Sequence, residues 1–205
     1  MRTIAIVAFA GLAATAQPVF AQSMMAQQAP MTKVDGVIAA VNGNEVDVTA
    51  ADGSKDAVNL NDRTRIVYSV PIAIDQIKPG SFIGAGAQAD GAGGNNAMEI
   101  TVFPESMRGV GEGFRKWDQG PKSTMTNGTV STVVGTSNRT LTVTYKGGQQ
   151  KVSVAQDTPI ITFEVADKSA LTPGAHVTVR GFKAPDGKIN AGFFTVGKSG
   201  STPPV

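Results

Sequence analysis

Apolar side chains recur at every second position along most of this chain, a period that predicts strands buried on one face and argues against helices. Val46 and Val48 alternate with Glu45, Asp47 and Thr49, while Leu141, Val143 and Tyr145 alternate with Thr140, Thr142 and Thr144. Between such runs stand Asn42-Gly43-Asn44, Asp52-Gly53, Gly147-Gly148 and Asp186-Gly187, residues that accept the positive φ angles of tight hairpins. Consecutive strands are therefore expected to be antiparallel neighbours. Asp75-Gln76-Ile77 and Lys168-Ser169-Ala170-Leu171 read as the only helical turns. Each is stopped by a Pro-Gly pair that leads into a further strand, Phe82 to Ala87 or His176 to Gly181.

The pattern is written twice. Gly36-Val37-Ile38, Val58-Asn59-Leu60, Thr64-Arg65-Ile66, Lys78-Pro79-Gly80, Asp90-Gly91 and Ile100-Thr101-Val102 return as Gly128-Thr129-Val130, Val152-Ser153-Val154, Thr158-Pro159-Ile160, Thr172-Pro173-Gly174, Asp186-Gly187 and Phe194-Thr195-Val196. Each copy, roughly seventy residues long, holds three strands, a link with a short helical turn, then two more strands. That is the order of the five-stranded oligonucleotide- and oligosaccharide-binding (OB) barrel, and barrel closure also removes exposed sheet edges. Ile66-Val67-Tyr68 and Ile160-Ile161-Thr162 add a short strand before each helical turn. The expected fold is all-β: two tandem OB-like antiparallel barrels, at 33–103 and 126–198, joined by a glycine-rich charged segment at 104–125. A β-sandwich of the same strands is the alternative.

Composition narrows the setting. Arg2, the apolar run Ile4 to Ala16 and the small residues around Val19-Phe20-Ala21 have the form of a signal peptide over 1–21, with cleavage before Gln22 and a periplasmic or secreted destination. The segment 22–32, with Met24, Met25 and Met31, lacks periodicity and reads as a flexible leader, and 199–205 as a flexible tail. No run reaches the roughly twenty apolar residues of a membrane helix. The 205 residues carry a formal charge of +2, no cysteine and one histidine. Disulfides and lipid attachment at the cleavage point are thereby excluded, and an ordinary zinc or copper site and nucleic-acid binding are disfavoured.

The motifs Gly36-Val37-Ile38 with Asn42-Gly43-Asn44, Lys78-Pro79-Gly80, Phe103-Pro104-Glu105-Ser106-Met107-Arg108-Gly109, Trp117-Asp118, Ser123-Thr124-Met125-Thr126-Asn127 and Asp157-Thr158-Pro159-Ile160 carry a resemblance that extends over nearly the whole chain after residue 21. In them the chain resembles exported bacterial proteins of the DUF5666 type, tandem small β-barrel domains of unknown function. Related sequences carry a histidine and a proline where Phe114 and Lys116 stand here. Some carry a metal-transporter permease label, which a chain without a membrane span does not support.

The segment 104–125 is the part the repeat does not explain. Glu105, Arg108, Glu112, Phe114, Arg115, Trp117 and Asp118 concentrate charge and aromatic surface among glycines. They are read either as a recognition segment with Trp117 and Phe114 as anchors, or as structural glue in which Phe103, Met107, Phe114 and Trp117 fill the seam between docked barrels and the charges pair outside. Gly109-Val110-Gly111-Glu112-Gly113 has neither the dinucleotide nor the P-loop spacing. His176 aligns with Phe82, as a partly covered surface residue. Ser106, Ser123 and Thr126 have no base nearby in sequence to activate them. The expected function is a non-enzymatic periplasmic binding or scaffolding module, without cofactor or metal, for an envelope protein or glycan. Metal or small-ligand capture alongside a transporter is one alternative. Binding of single-stranded nucleic acid or oligosaccharide on the barrel face is another.

Overall fold

A computed structural model describes residues 31–91, 94–134 and 139–203. The expected signal peptide and most of the leader lie outside them. Among the described residues thirteen strands form one continuous mixed sheet. In chain order they are β1 (Met31–Asn42), β2 (Glu45–Ala50), β3 (Lys55–Asn59), β4 (Arg65–Pro71), β5 (Phe82–Ala89), β6 (Asn95–Val102), β7 (Gly113–Lys116), β8 (Ser123–Val134), β9 (Thr140–Tyr145), β10 (Gly148–Ser153), β11 (Ile160–Ala166), β12 (His176–Lys183) and β13 (Ile189–Gly197). The two expected helical turns are single 3-10 turns, Ile74–Gln76 and Lys168–Ala170, and Asp167 caps the second by accepting from the Ser169 amide. Its carboxyl is held below the usual aspartate range by the Ser169 hydroxyl and amide.

The strands do not close within each repeat. β1 pairs with β2, β2 with β3, β3 with β13, β13 with β12, and β12 with β1. The second ring runs β8, β9, β10, β6, β5 and back to β8. Each ring has the order 1-2-3-5-4 of the five-stranded barrel, but the first copy supplies strands one to three of one ring and four and five of the other. The expected units at 33–103 and 126–198 are therefore corrected: the two copies exchange their last two strands. The cores record the exchange. Ile38, Val46, Val48 and Val58 pack with Val177, Val179, Ile189 and Phe194, and Ile83, Ala85 and Ile100 pack with Val130, Leu141, Val143 and Val152.

β4 and β11 make the exchange possible. Expected as three-residue strands, they extend over seven each. At roughly 3.3 Å per residue each spans about 23 Å, enough to carry the chain from one ring to the other. They pair antiparallel with each other, Ser69 opposite Phe163, and the repeat that aligns Phe82 with His176 also aligns Ser69 with Phe163. A pseudo-two-fold axis thus passes through that pair. β4 further pairs parallel with β13, and β11 with β6. Exchange keeps in each ring the strand order a single-copy barrel would have and adds these three ladders. Bulges fall at matching points of the two copies, after Ile38 and Val130 and after Gly86 and Arg180, where they bend strands into the rings.

Two further boundaries move. β1 begins at Met31, so Met31 and Thr32 belong to a ladder with Phe182 and Gly181 instead of a leader. The tail is not free as far as Pro203. Lys198–Gly200 forms a turn with Ser199 in the left-handed region, the Ser201 amide donates to the Lys198 carbonyl, and Pro203 is buried.

Candidate functional site

Where the rings adjoin, their outer faces become the walls of a cleft of about 590 Å³, within the size range of small-molecule sites. Cross-strand rows build each wall. On one, Asn127, Gly84 and Thr101 stand side by side across β8, β5 and β6, and next to them Met125, Gly86 and Glu99. The pseudo-two-fold places Asp35, Thr178 and Thr195, then Lys33, Arg180 and Phe193, across β1, β12 and β13 of the other. The same backbone thus carries Glu99 where its counterpart carries Phe193, and Gly86 where its counterpart carries Arg180. Between the walls, Phe163 on β11 continues a chain of ring contacts: Phe82 to Phe103 at 5.7 Å, Phe103 to Phe163 at 6.0 Å and Phe163 to Phe193 at 5.7 Å between centroids.

The segment between the repeats folds over this cleft. A 3-10 turn, Glu105–Met107, leads into β7, which pairs with β8. Trp117 then lies on Gly86: a Cβ there would stand 2.4 Å from Trp117 Cζ3, so no larger residue fits beneath the ring. Met107, Arg115, Lys116, Trp117 and Asp118 all line the cleft.

The other candidates from this segment are held elsewhere. Arg108 forms a bidentate pair with Glu105, at 2.5 and 2.8 Å, donates to the Gly80 carbonyl and lies over the Phe82 ring. The pair holds the Glu105 carboxyl below the usual range. Glu112 accepts from the Lys146 amide at 3.0 Å, tying the segment to the β9–β10 hairpin. Phe114 is expected in the seam but is not there. It stacks on Tyr145 at 6.4 Å on the outside, 46% exposed, because its place in β7 faces away from the walls. Phe103, Met107 and Trp117 do sit at the junction, each half-buried, and the rings are held together by exchanged strands more than by this filling.

Trp117 being only half-buried, Trp117→Ala is expected to cost about 1–2 kcal/mol, less than the ~3–5 kcal/mol of a fully packed ring. Gly86→Val should displace the ring altogether. The expected readout is a red-shifted Trp117 emission with stronger iodide quenching than in the unaltered protein. An unshifted spectrum would contradict the contact with Gly86.

The chemistry of the cleft lies on residues the sequence reading passed over. Glu99, Asn127 and Thr195 are only 8%, 4% and 3% exposed. Glu99 Oε1 accepts from the Thr101 hydroxyl at 3.0 Å and the Asn127 amide nitrogen donates to the Val110 carbonyl at 2.9 Å. Glu99 Oε2, Asn127 Oδ1 and Thr195 Oγ1 have no hydrogen-bond partner among the described residues. Asn127 Oδ1 lies over Gly84 beside the Phe103 ring. Burial pushes the Glu99 carboxyl up to about 7, against the Thr101 hydroxyl and the more distant charges of Arg180 and Lys33, which favour its ionised form. Among the described residues no three His, Cys, Asp or Glu side chains converge as a metal site, and no helix is long and apolar enough to cross a membrane. Compared with protein-family models, with curated proteins and with solved structures, the chain matches none.

Proposed function

We propose that the protein is an exported, non-catalytic binding module that takes a small, largely apolar ligand in the cleft between its two strand-exchanged rings. One observation carries this reading. Three buried side chains, Glu99, Asn127 and Thr195, each with a polar oxygen that has no hydrogen-bond partner among the described residues, line the same cleft among Phe103, Phe163, Phe193 and Trp117. An orphaned buried polar atom costs roughly 1–3 kcal/mol. A fold gains nothing in stability by collecting three of them, whereas a site that must orient a ligand requires a few polar groups on apolar walls. The N-terminal sequence supports export, and the walls are built from strands, which hold such groups in fixed register.

Trp117 provides the readout. The uncharged fluorophore N-phenyl-1-naphthylamine should bind saturably at one site per chain, with a change in Trp117 emission, and Phe163→Ala should weaken that binding at least roughly five-fold by removing the central aromatic surface. Linear, non-saturating uptake, or a Phe163→Ala titration superimposable on that of the unaltered protein, would remove the cleft as the site.

A further inference from the structure

We propose that the ligand of this cleft carries a protonated amine on its apolar body, with the ammonium group seated against Glu99. The inference rests on the cleft being a binding site and adds the chemistry of the ligand's head.

The orphaned atoms define what is missing. A carboxylate oxygen and an amide oxygen can only accept, and a threonine hydroxyl accepts as readily as it donates. An ammonium group has three N–H donors and no acceptor, so it can pair with the Glu99 carboxylate without bringing in a group that would itself be orphaned. A hydroxyl supplies one donor but no charge to balance the carboxylate. A carboxylate supplies none and would face Glu99. The surroundings agree, because the Phe103, Phe163 and Phe193 rings and Trp117 line the same space and offer π faces that attract a desolvated cation.

The protein's own cations do not fill this place. Among the described residues no Lys or Arg nitrogen lies within 4.0 Å of Glu99, and Lys33 is engaged with Asp35 at 3.0 Å. Arg115 and Lys116 line the mouth of the cleft but are exposed, where water and salt screen them. Arg180 stands on the opposite wall, in the row with Phe193, and favours ionised Glu99 without pairing with it. The buried Glu99 carboxyl therefore decides the head group, and the exposed Arg115 and Lys116 do not.

Pairing an ammonium with Glu99 requires the carboxyl to be ionised, so binding is linked to the loss of its proton. For a ligand that stays charged from pH 6 to pH 8, affinity should rise roughly ten-fold across that interval, as Glu99 passes through its folded titration near 7.

The test compares three probes with one body: 2-phenylethylamine, 2-phenylethanol and 3-phenylpropionate, titrated calorimetrically into the full chain at pH 6 and pH 8. The expected result is preference for the amine, strengthening with pH. Glu99→Gln should lose at least ten-fold at pH 8 and respond to pH no longer. Equal binding of alcohol and amine, preference for the acid, a pH-independent amine affinity, or an unchanged affinity in Glu99→Gln would each overturn the inference. Any of these alongside saturable binding of N-phenyl-1-naphthylamine leaves the cleft as a binding site with a different head group. Failure of all four compounds to bind overturns both readings.

Discussion

Cutting the chain once beside Gly111 should leave its two fragments in a single particle that separates only in denaturant. Every ring contains strands from both sides of the cut: β1 to β3 close with β12 and β13, and β8 to β10 close with β5 and β6. Pulling the fragments apart would open both rings and expose both cores at once, including Ile38, Val46, Ile83, Leu141 and Phe194, none more than 1% exposed. Dissociation then becomes global unfolding, with the ~5–15 kcal/mol usual for a folded domain. A protease site inserted after Gly111, in an exposed stretch where Gly109, Gly111 and Gly113 all adopt positive φ, allows the cut to be made after folding. The nicked protein should elute as one species and should melt in one transition. Two barrels that were merely docked would separate on dilution and melt independently, and that result would refute the exchange. A second arm tests the pairing itself. Met31 and Phe182 stand opposite each other on β1 and β12, where antiparallel partners lie about 4.5–5.5 Å apart between Cα atoms, within disulfide range. Because the chain has no cysteine, Met31→Cys with Phe182→Cys should form one clean cross-link, which unexchanged barrels would place out of reach.

Strand positions and turns were legible because they are local. The two-residue period of Val46 and Val48, the glycines of Gly43 and Gly53, and the Pro-Gly stops after the 3-10 turns act over a few residues, and they fall where the sequence places them. Partner choice was not legible, for a physical reason. The two copies present the same pattern, so β1 can be completed by β5 or by β12 with equal local satisfaction, and only the extra length of β4 and β11 decides. The continuation of the strand through Ser69-Val70-Pro71 and Phe163-Glu164-Val165 was the available signal. The cleft was hidden for a related reason. Alternation in β6 sends Ile100 into the ring and Glu99 and Thr101 outward, which in an isolated barrel means toward water. They are buried because a second outer face lies against them, a consequence of exchange that no period in the sequence announces. The segment carrying Arg108, Arg115 and Trp117 drew notice because its residues are conspicuous. In the fold, Trp117 and Arg115 cover the cleft, while Glu105, Arg108, Glu112 and Phe114 anchor that cover.

Replacing Glu99 with Gln should stabilise the protein at neutral and alkaline pH and leave it nearly unchanged near pH 4.5. Unfolded, the carboxyl titrates near its ordinary value of 4.5, and folded, burial moves it to about 7. Between those values the folded chain holds a proton that the unfolded chain has released, so stability falls as pH rises through the interval. Below it both states are protonated, above it both are ionised, and the slope vanishes. Integrated across the interval, the loss is about 3 kcal/mol, which for a chain of this size corresponds to roughly 6–12 °C in Tm. Gln keeps the shape and can still accept from the Thr101 hydroxyl, but has no charge to bury. The carboxylates held low by hydrogen bonds, Asp52, Glu105 and Asp167, lose their contributions only as pH falls into the acid range, and Lys188, held high by Glu45, loses its own only in strong alkali. The interval from 5 to 8 therefore reports on Glu99. Melting curves of the two proteins should nearly coincide at pH 4.5 and diverge steadily up to about pH 7.5, with Glu99→Gln the more stable, then run parallel. Curves that stay parallel from pH 5 to pH 8 would mean that Glu99 is solvated, and with that the cleft would lose the group on which its proposed ligand depends.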